Sequence, residues 1–250
     1  VIVVEPAEGD VACGEHGQGK LASISTISRA VETVLQRSQK LKGKKVLITS
    51  GPTQEPIDSV RFLSNRSSGK MGTAVARAAL LMGADVTLIT GPTTVPAPLE
   101  AKVIRVQTTQ EMLREVLDHS ENMDLIIGAA AVADYRPAHP ATGKMRRSSE
   151  AICLELVPNP DVIAEVASYR PQSRVVGFAA EPDEGLEEAV RKIERKGLYA
   201  IAANNVGNSA IGFDSDENEL TLIGRDGNLS KSGRLSKLGC ALWLLERVAP

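Results

Sequence analysis

The chain has very few aromatic residues: three Phe, three Tyr and one Trp among 250. Proteins that hold single-stranded nucleic acid stack bases on such rings, so that platform is missing. An excess of positive charge is missing too. Twenty-nine Lys and Arg stand against thirty-one Asp and Glu, a formal net charge of −2, so no basic field recruits nucleic acid. Any anionic ligand must be held by local donors. The three cysteines, Cys13, Cys153 and Cys240, lie far apart without a CxxC pair, which leaves disulfide staples and a structural zinc site unsupported. Cys153 alternates with apolar neighbours and Cys240 falls in a helical pattern, so both read as core residues. His16, His119 and His139 sit on separate polar segments; neither a Ser-His-Asp arrangement nor an HExxH helix is readable. No run of about 18 apolar residues occurs and no signal peptide opens the chain. A cytoplasmic protein with no membrane partner is expected. With no covalent nucleophile in view, positioning and charge neutralisation are the expected chemistry, as in phosphoryl or nucleotidyl transfer.

What is present is alternation. From Lys44 onward, short apolar runs separate helical patterns. Lys45–Ser50, Asp85–Thr90, Val103–Gln107, Asp124–Ala131, Arg174–Ala180 and Leu198–Ala203 read as strands. Gly69–Gly83, a segment after a Thr108/Glu111 capping box, one from about Pro160, Glu184–Lys196 and a terminal segment carrying Leu238, Leu242, Leu245 and Val248 read as helices. Glu219–Asn228 reads as a hairpin with an Asp-Gly turn. Buried strands alternating with helices predict an α/β, Rossmann-like doubly wound fold. Its sheet is mostly parallel with helices on both faces, plus a small β-hairpin extension. Ligands of such folds bind beyond the carboxyl ends of the strands. Ahead of this domain, residues 21–41 read as an amphipathic linker helix. Residues 1–20 combine the apolar start Val1-Ile-Val-Val, without Met, with a glycine-rich stretch, as though a larger protein had been cut.

Two loops at the expected binding edge stand out. The first, Gly51 to Ser67, has about seventeen residues where roughly 2–6 are usual. It holds Glu55, Asp58, Arg61, Asn65 and Arg66 between the apolar anchors Ile57, Val60 and Phe62. It ends in Ser67, Ser68, Gly69 and Lys70 at a helix entrance, a setting that suits an anion. Neither the Walker spacing nor GxGxxG is met: Ser64 and Met71 occupy diagnostic Walker positions, and the first turn reads Ser50-Gly-Pro-Thr53. The second loop, Gly128 to Pro137, is small-residue backbone with Asp134 beside it, suited to a cation, a ribose or a helix cap. The following segment, Ala138 to Glu150, carries Gly143-Lys-Met-Arg-Arg147 and reads either as a flap over polyphosphate or as a solvated charge run. Asp161 opens a helix, where a carboxylate is favoured. Lys192 and Lys196, one turn apart, read on their own as solvated.

Taken together these strings resemble the phosphopantothenoylcysteine synthetase family in its bacterial bifunctional form. The resemblance covers nearly all of residues 42–250. Its ordered motifs are Ile48–Asp58, Val60–Gly72, Ala129–Pro137, Asn159–Asp161, Val176–Glu181 and Gly212–Asn218. It implies a ligase joining 4′-phosphopantothenate to cysteine with CTP and Mg²⁺, through an acyl-cytidylate. Asn65 matches the family's asparagine that carries this intermediate forward, Arg61 its neighbour, and Lys144 a mobile-flap lysine that meets the triphosphate. Gly128, Ala129, Ala130 and Asp134 match nucleotide-site residues, as do Pro160, Asp161, Val162, Ile163, Phe178, Lys192 and Lys196. Asp134 is the candidate Mg²⁺ ligand, and a homodimer is implied.

Two departures stand out. Lys144-Met-Arg-Arg147 replaces the usual Lys-Ile-Lys-Lys, and Asn204-Asn205 the usual Asn-Asp. Residues 1–20 resemble the end of a fused flavoprotein decarboxylase. Cys13 matches that enzyme's flap cysteine, and FMN belongs only to its absent part. The rival within the same fold class is an NAD(P) oxidoreductase, which needs a short glycine-rich first turn and an acid after the second strand; Thr90-Gly-Pro stands there instead. A non-catalytic binding module is the other rival, opposed by retention of Asn65, Lys144 and Asp134.

Overall fold

A computed structural model describes residues 4, 6–10, 16–24, 26–27, 31, 38–147, 149, 151–179, 186–204 and 215–250. In chain order these form β1 (Ala7–Asp10), β2 (His16–Lys20), β3 (Lys45–Ser50), β4 (Gln54–Pro56), β5 (Phe62–Ser64), α1 (Lys70–Leu81), β6 (Asp85–Thr90), β7 (Lys102–Arg105) and α2 (Thr109–His119). There follow β8 (Leu125–Gly128), β9 (Tyr135–Pro137), β10 (Leu156–Pro158), α3 (Val162–Tyr169), β11 (Arg174–Ala179), α4 (Leu186–Lys196), β12 (Ala200–Asn204), β13 (Glu217–Gly224), β14 (Leu229–Ser236) and α5 (Lys237–Val248).

Val46, Leu47 and Ile48 follow one another without a polar break because both faces of β3 are covered. Val46 and Ile48 join the core under α1 and α5, and Leu47 the core under α2, α3 and α4. The same division splits Leu125 and Ile127 from Ile126 in β8, and Val176 from Val175 in β11. An alternating polar pattern would have left one face open to water. One eight-stranded sheet results, in the order β14-β13-β12-β11-β8-β3-β6-β7. From β12 to β7 neighbouring strands are parallel, and β13 and β14 add antiparallel. The doubly wound α/β architecture is as the alternation predicts. The hairpin extends the main sheet itself, and its second strand runs on to Ser236. Among the described residues no helix is long and apolar enough to cross a membrane.

The chain leaves β3 for β6 and β7 on one side, then returns to β8, β11 and β12 on the other. The loops after β3 and β8 therefore diverge at a switch point, where a crevice opens. Pairing does not stop with the strands. Ala129 N–H donates to Thr49 O (3.2 Å), Ala131 N–H to Gly51 O (2.9 Å) and Thr53 N–H to Ala131 O (3.3 Å). The expected strand Asp124–Ala131 accordingly ends at Gly128, and its small-residue tail becomes a loop stitched to the turn after β3.

Two expectations are corrected. The long first loop contains an antiparallel ribbon, β4 paired with β5. Its supposed anchors Val60 and Phe62 are about half exposed, at 58% and 48%, because the ribbon tip stands off the sheet. Cys153 is exposed; its segment forms no strand, so apolar alternation there has no sheet face to meet. Cys240 is buried, as expected. The Thr108/Glu111 capping box is present, with Thr108 Oγ1 accepting from Glu111 N–H at 3.2 Å and Glu111 Oε2 from Thr108 N–H at 3.3 Å. About half of the expected linker helix, together with Cys13 and Asn205, lies outside the described residues. β1 and β2 form a separate antiparallel ribbon that the sequence did not announce.

Helix α1 lies so close to β3 that a Cβ on Gly72 would sit 2.4 Å from Ser50 Oγ and 2.9 Å from Ser50 Cα. Gly72→Ala is expected to push the helix off the strand and lower stability by about 1–3 kcal/mol, the usual range for overpacking. Urea unfolding checks this. An unchanged midpoint would mean the contact has slack.

Candidate functional site

The crevice at the carboxyl ends of the strands is a cavity of about 580 Å³. Three segments wall it: Asn65 to Gly72 entering α1, Gly128 to Asp134 after β8, and Asn159 to Ile163 entering α3. Gly177, Phe178 and Ala179 at the end of β11 also line it, with Lys192 and Lys196 on α4, Asn204 on β12 and Lys237 on α5. The structure thus brings together Asn65, Ser67, Ser68, Gly69, Lys70, Gly128, Ala129, Ala130, Asp134, Pro160, Asp161, Val162, Ile163, Phe178, Lys192 and Lys196. Arg61 and Lys144 are not among the lining residues.

The entrance of α1 is built to receive an anion. Gly69 adopts a left-handed conformation (φ 76°) as the N-cap, brings no side chain to cap the helix, and no acid occupies its first turn. A β-carbon at Gly69 would also meet Thr93 Oγ1 at 2.9 Å, so only glycine fits this turn without strain. Thr93 Oγ1 in turn donates to Ser68 O (2.6 Å) and Ser50 Oγ to Gly69 O (3.1 Å), which fixes the turn from below. By contrast α2, α3 and α5 are capped by Thr108, Asp161 and Ser236. Amides at the start of a helix, together with its dipole, favour negative charge.

Four lysines line the same cavity: Lys70, Lys192, Lys196 and Lys237. Lys70 Nζ pairs with Asp216 (2.7 Å), and its charge holds the Asp216 carboxyl below its ordinary range. Lys196 Nζ pairs with Asp161 Oδ2 (2.8 Å), while Asp161 Oδ1 accepts from Ala164 N–H (3.1 Å). Partial burial works to raise the Asp161 pKa, but Lys196 and the α3 amides outweigh it and hold the carboxyl below its ordinary range. Lys237 was missed from the sequence. It is only 7% exposed and its Nζ donates to Ser215 O (2.5 Å). The available signal was a lysine in the first turn of a helix, where the dipole disfavours it. Asn159 and Asn204 were also absent from the expected site. Asn159 Nδ2 donates to Ala133 O (2.9 Å) and its N–H to Asp134 O (2.8 Å), tying the two loops. Asn204 lines the cavity, and its buried Oδ1 accepts no hydrogen bond among the described residues.

The polar residues of the long first loop divide into two groups. Asn65 and Arg66 line the cavity, and Asn65 Nδ2 donates across it to Val132 O (2.8 Å). Glu55 and Asp58 are instead buried, 1% and 4% exposed. Glu55 Oε1 accepts from Thr109 N–H (2.9 Å) and Thr109 Oγ1 (2.8 Å). Thr53 Oγ1 lies 3.1 Å from Thr109 Oγ1 and accepts from Ala133 N–H (3.0 Å). One directed chain of hydrogen bonds therefore runs from the cavity loop through two hydroxyls to a buried carboxylate. Asp58 accepts from Arg61 Nε (2.9 Å), from the Arg61 and Val60 amides (2.8 Å each) and from Met145 N–H (3.1 Å). The Arg61 guanidinium, against the effect of burial and helped by these amides, holds the Asp58 carboxyl well below the usual carboxylate range. Lys144 is exposed beside Met145.

A doubly wound sheet with four lysines lining the crevice at its switch point, and a glycine at the helix entrance, is an arrangement suited to anionic ligands. The chain belongs to the DNA/pantothenate metabolism flavoprotein C-terminal domain family, whose profile matches residues 41–250. It is 41% identical over 234 residues to the coenzyme A biosynthesis bifunctional protein CoaBC of Escherichia coli (strain K12), covering 91% of this chain and 57% of that protein. The same protein of Haemophilus influenzae is 39% identical over 249 residues, covering 98% of this chain and 61% of the relative. The chain thus spans little more than half the length of these curated relatives. The crystal structure of the C-terminal domain of a CoaBC protein superposes with a TM-score of 0.72 at 35% identity, over 85% of this chain and 97% of that one. The resemblance read from the motifs is to the same family.

Replacing Thr53 by Val removes the acceptor for Ala133 N–H and is expected to cost about 1–3 kcal/mol, with faster amide exchange at Ala133; unchanged exchange would break the proposed chain. The depressed Asp161 carboxyl adds stability above its unfolded pKa of about 4, lost as pH falls through its lower folded value. Asp161→Asn should therefore be less stable than the unchanged protein at neutral pH, and the gap should close below about pH 4. Denaturation at a series of pH values checks this, and a gap that persists in acid would overturn it.

Proposed function

We propose that this domain is a phosphopantothenate–cysteine ligase of coenzyme A biosynthesis, dependent on CTP and working through an acyl-cytidylate. The observation that carries this is the convergence, in one crevice, of a helix entrance with glycine at its N-cap, four lysines and Asn65. The names borne by the relatives point to the same pathway.

The 4′-phosphopantothenate carboxylate attacks the α-phosphate of CTP, forming the acyl-cytidylate and releasing pyrophosphate. The cysteine amine then attacks the acyl carbon, displacing CMP and losing a proton as the amide forms. Neither half needs a protein nucleophile; both need charge held in place. Lys192 and Lys196 face the phosphates from α4, Lys196 steadied by Asp161. The α1 entrance, Ser67 to Lys70, takes a second anionic group. Gly128 to Ala130 admit the nucleotide close to the backbone, and Pro160 to Ile163 with Phe178 wall it. Asn65 is placed to orient the acyl-phosphate. Lys144 reaches the triphosphate only when its exposed loop folds over the cavity.

Mg²⁺ completes the proposal. Among the described residues no cluster of three or more His, Cys, Asp or Glu could hold a metal; of the two exposed carboxylates lining the cavity, Asp161 pairs with Lys196 and Asp134 stands on the loop after β8. One carboxylate suits Mg²⁺, which keeps its waters and binds substrate phosphates. Asp134 would hold it, and the ion would supply charge neutralisation at the phosphates. A homodimer accords with the exposed Val60, Phe62, Tyr135, Leu154 and Leu156, which a second copy would cover.

Pyrophosphate release from 4′-phosphopantothenate and CTP tests the reading. It is expected as a single turnover without cysteine and as continuous turnover with it. Asn65→Ala should accumulate the acyl-cytidylate and lose about 10²-fold in turnover. Normal turnover in that variant would remove its assigned role. No pyrophosphate with CTP or ATP would sink the ligase, and turnover with ATP alone would sink the choice of nucleotide.

A further inference from the structure

The loop from Ala138 to Glu155 connects β9 and β10, whose pairing closes its two ends. Between those ends the loop is tethered twice to the tip of the β4–β5 ribbon. Ala141 N–H donates to Ile57 O (2.9 Å), and Met145 N–H donates to Asp58 Oδ2 (3.1 Å). A third contact closes the cluster, because Arg61 Nη2 donates to Met145 O (2.9 Å). The two tethers bracket Lys144, whose side chain stays exposed. The tip itself is organised by Asp58, which accepts from the amides of Val60 and Arg61 on one oxygen and from the Arg61 guanidinium on the other. The Asp58 side chain has no exposed surface, while that of Arg61 remains 47% exposed.

From this geometry we infer that Asp58 is a positioning residue for the ligase, the joint that sets the Lys144 loop against the ribbon tip and aims Arg61 along it. Among the described residues the carboxylate hydrogen-bonds to none that lines the cavity, and it acts through its neighbours. A buried acceptor of five backbone and side-chain donors is more than a surface loop needs to turn. The donors come from the long first loop, which also carries Asn65, and from the loop that carries Lys144. Charge-assisted hydrogen bonds of this kind are short, directional and strong, so the loop is held at a set distance from the crevice before nucleotide arrives. That lowers the ordering cost of closing the loop on the triphosphate. The inference rests on the ligase reading for its kinetic consequence, but not for the tether.

Two measurements on the full chain separate the two. Trypsin cleavage after Lys144, Arg146 and Arg147 reads the tether without any turnover. In Asp58→Asn, which keeps the shape and removes the charge, cleavage there should be about tenfold faster, with other sites unchanged. A double-mutant cycle reads the positioning. Asp58→Asn should raise the KM for CTP about tenfold with a smaller effect on kcat, and Lys144→Ala should raise it too. The double variant should be no worse than Lys144→Ala alone. Unchanged cleavage, or two effects that multiply, overturns the inference. If Asp58→Asn does not fold, Asp58→Glu, which keeps the charge but displaces it by a methylene, replaces it in both measurements. Lack of turnover in the unchanged protein counts against the ligase, while the cleavage result still decides the tether.

Discussion

The pairing of β3 with β8 continues past the ends of both strands, and the crevice depends on that continuation. Backbone bonds from Ala129 and Ala131 to Thr49 and Gly51, and from Thr53 back to Ala131, join the two loops. Strands that merely ended would leave two independent loops, free to close over the switch point. Stitched together, they lead Asn65 and the α1 entrance to one wall and Gly128 to Asp134 to the other. Small side chains are the condition for it, since the joined backbones leave no room for bulk. Gly72 pressed against Ser50 applies the same condition one layer down.

The second support is polar. A carboxylate buried in protein needs donors, or it would take up a proton or drive the loop into water. Glu55 has Thr109 and, through it, Thr53 and Ala133. Asp58 has Arg61, Val60 and Met145. Both are inside the long first loop, and both bind it to other parts of the chain, Glu55 to the start of α2 and Asp58 to the loop after β9. The length of that loop is explained by these attachments as much as by ligand contact. Its charged composition belongs largely to its own architecture.

Much of this was legible in the sequence because periodicity and punctuation report local structure directly. Uninterrupted apolar runs such as Val46-Leu-Ile48 and Leu125-Ile-Ile127 required two covered faces, and the Thr108/Glu111 box marked the start of α2. The motif Ser67 to Gly72 announced a helix entrance fit for an anion. Arg61 and Lys144 were less legible. Both belong to the recognised motifs, yet neither lines the cavity, because direction of a side chain is decided by partners distant in sequence: Asp58 turns Arg61 toward Met145. Lys237 and Asn204 were not legible as site residues for a related reason. Each looks ordinary in its own segment and becomes part of the site only when β12 and α5 are laid beside α1.

The sequence by itself determined the fold class, the order along the chain of the main-sheet strands and the helices between them, and the family, all of which depend on local pattern or on ordered strings of residues. Tertiary structure alone decided which charged groups meet. It set Glu55 and Asp58 inside the protein and four lysines around one crevice, and it made the supposed anchors Val60 and Phe62 an exposed surface. Burial and pairing are properties of the space between segments, and the free energy of a charge depends on that surrounding space rather than on its neighbours along the chain.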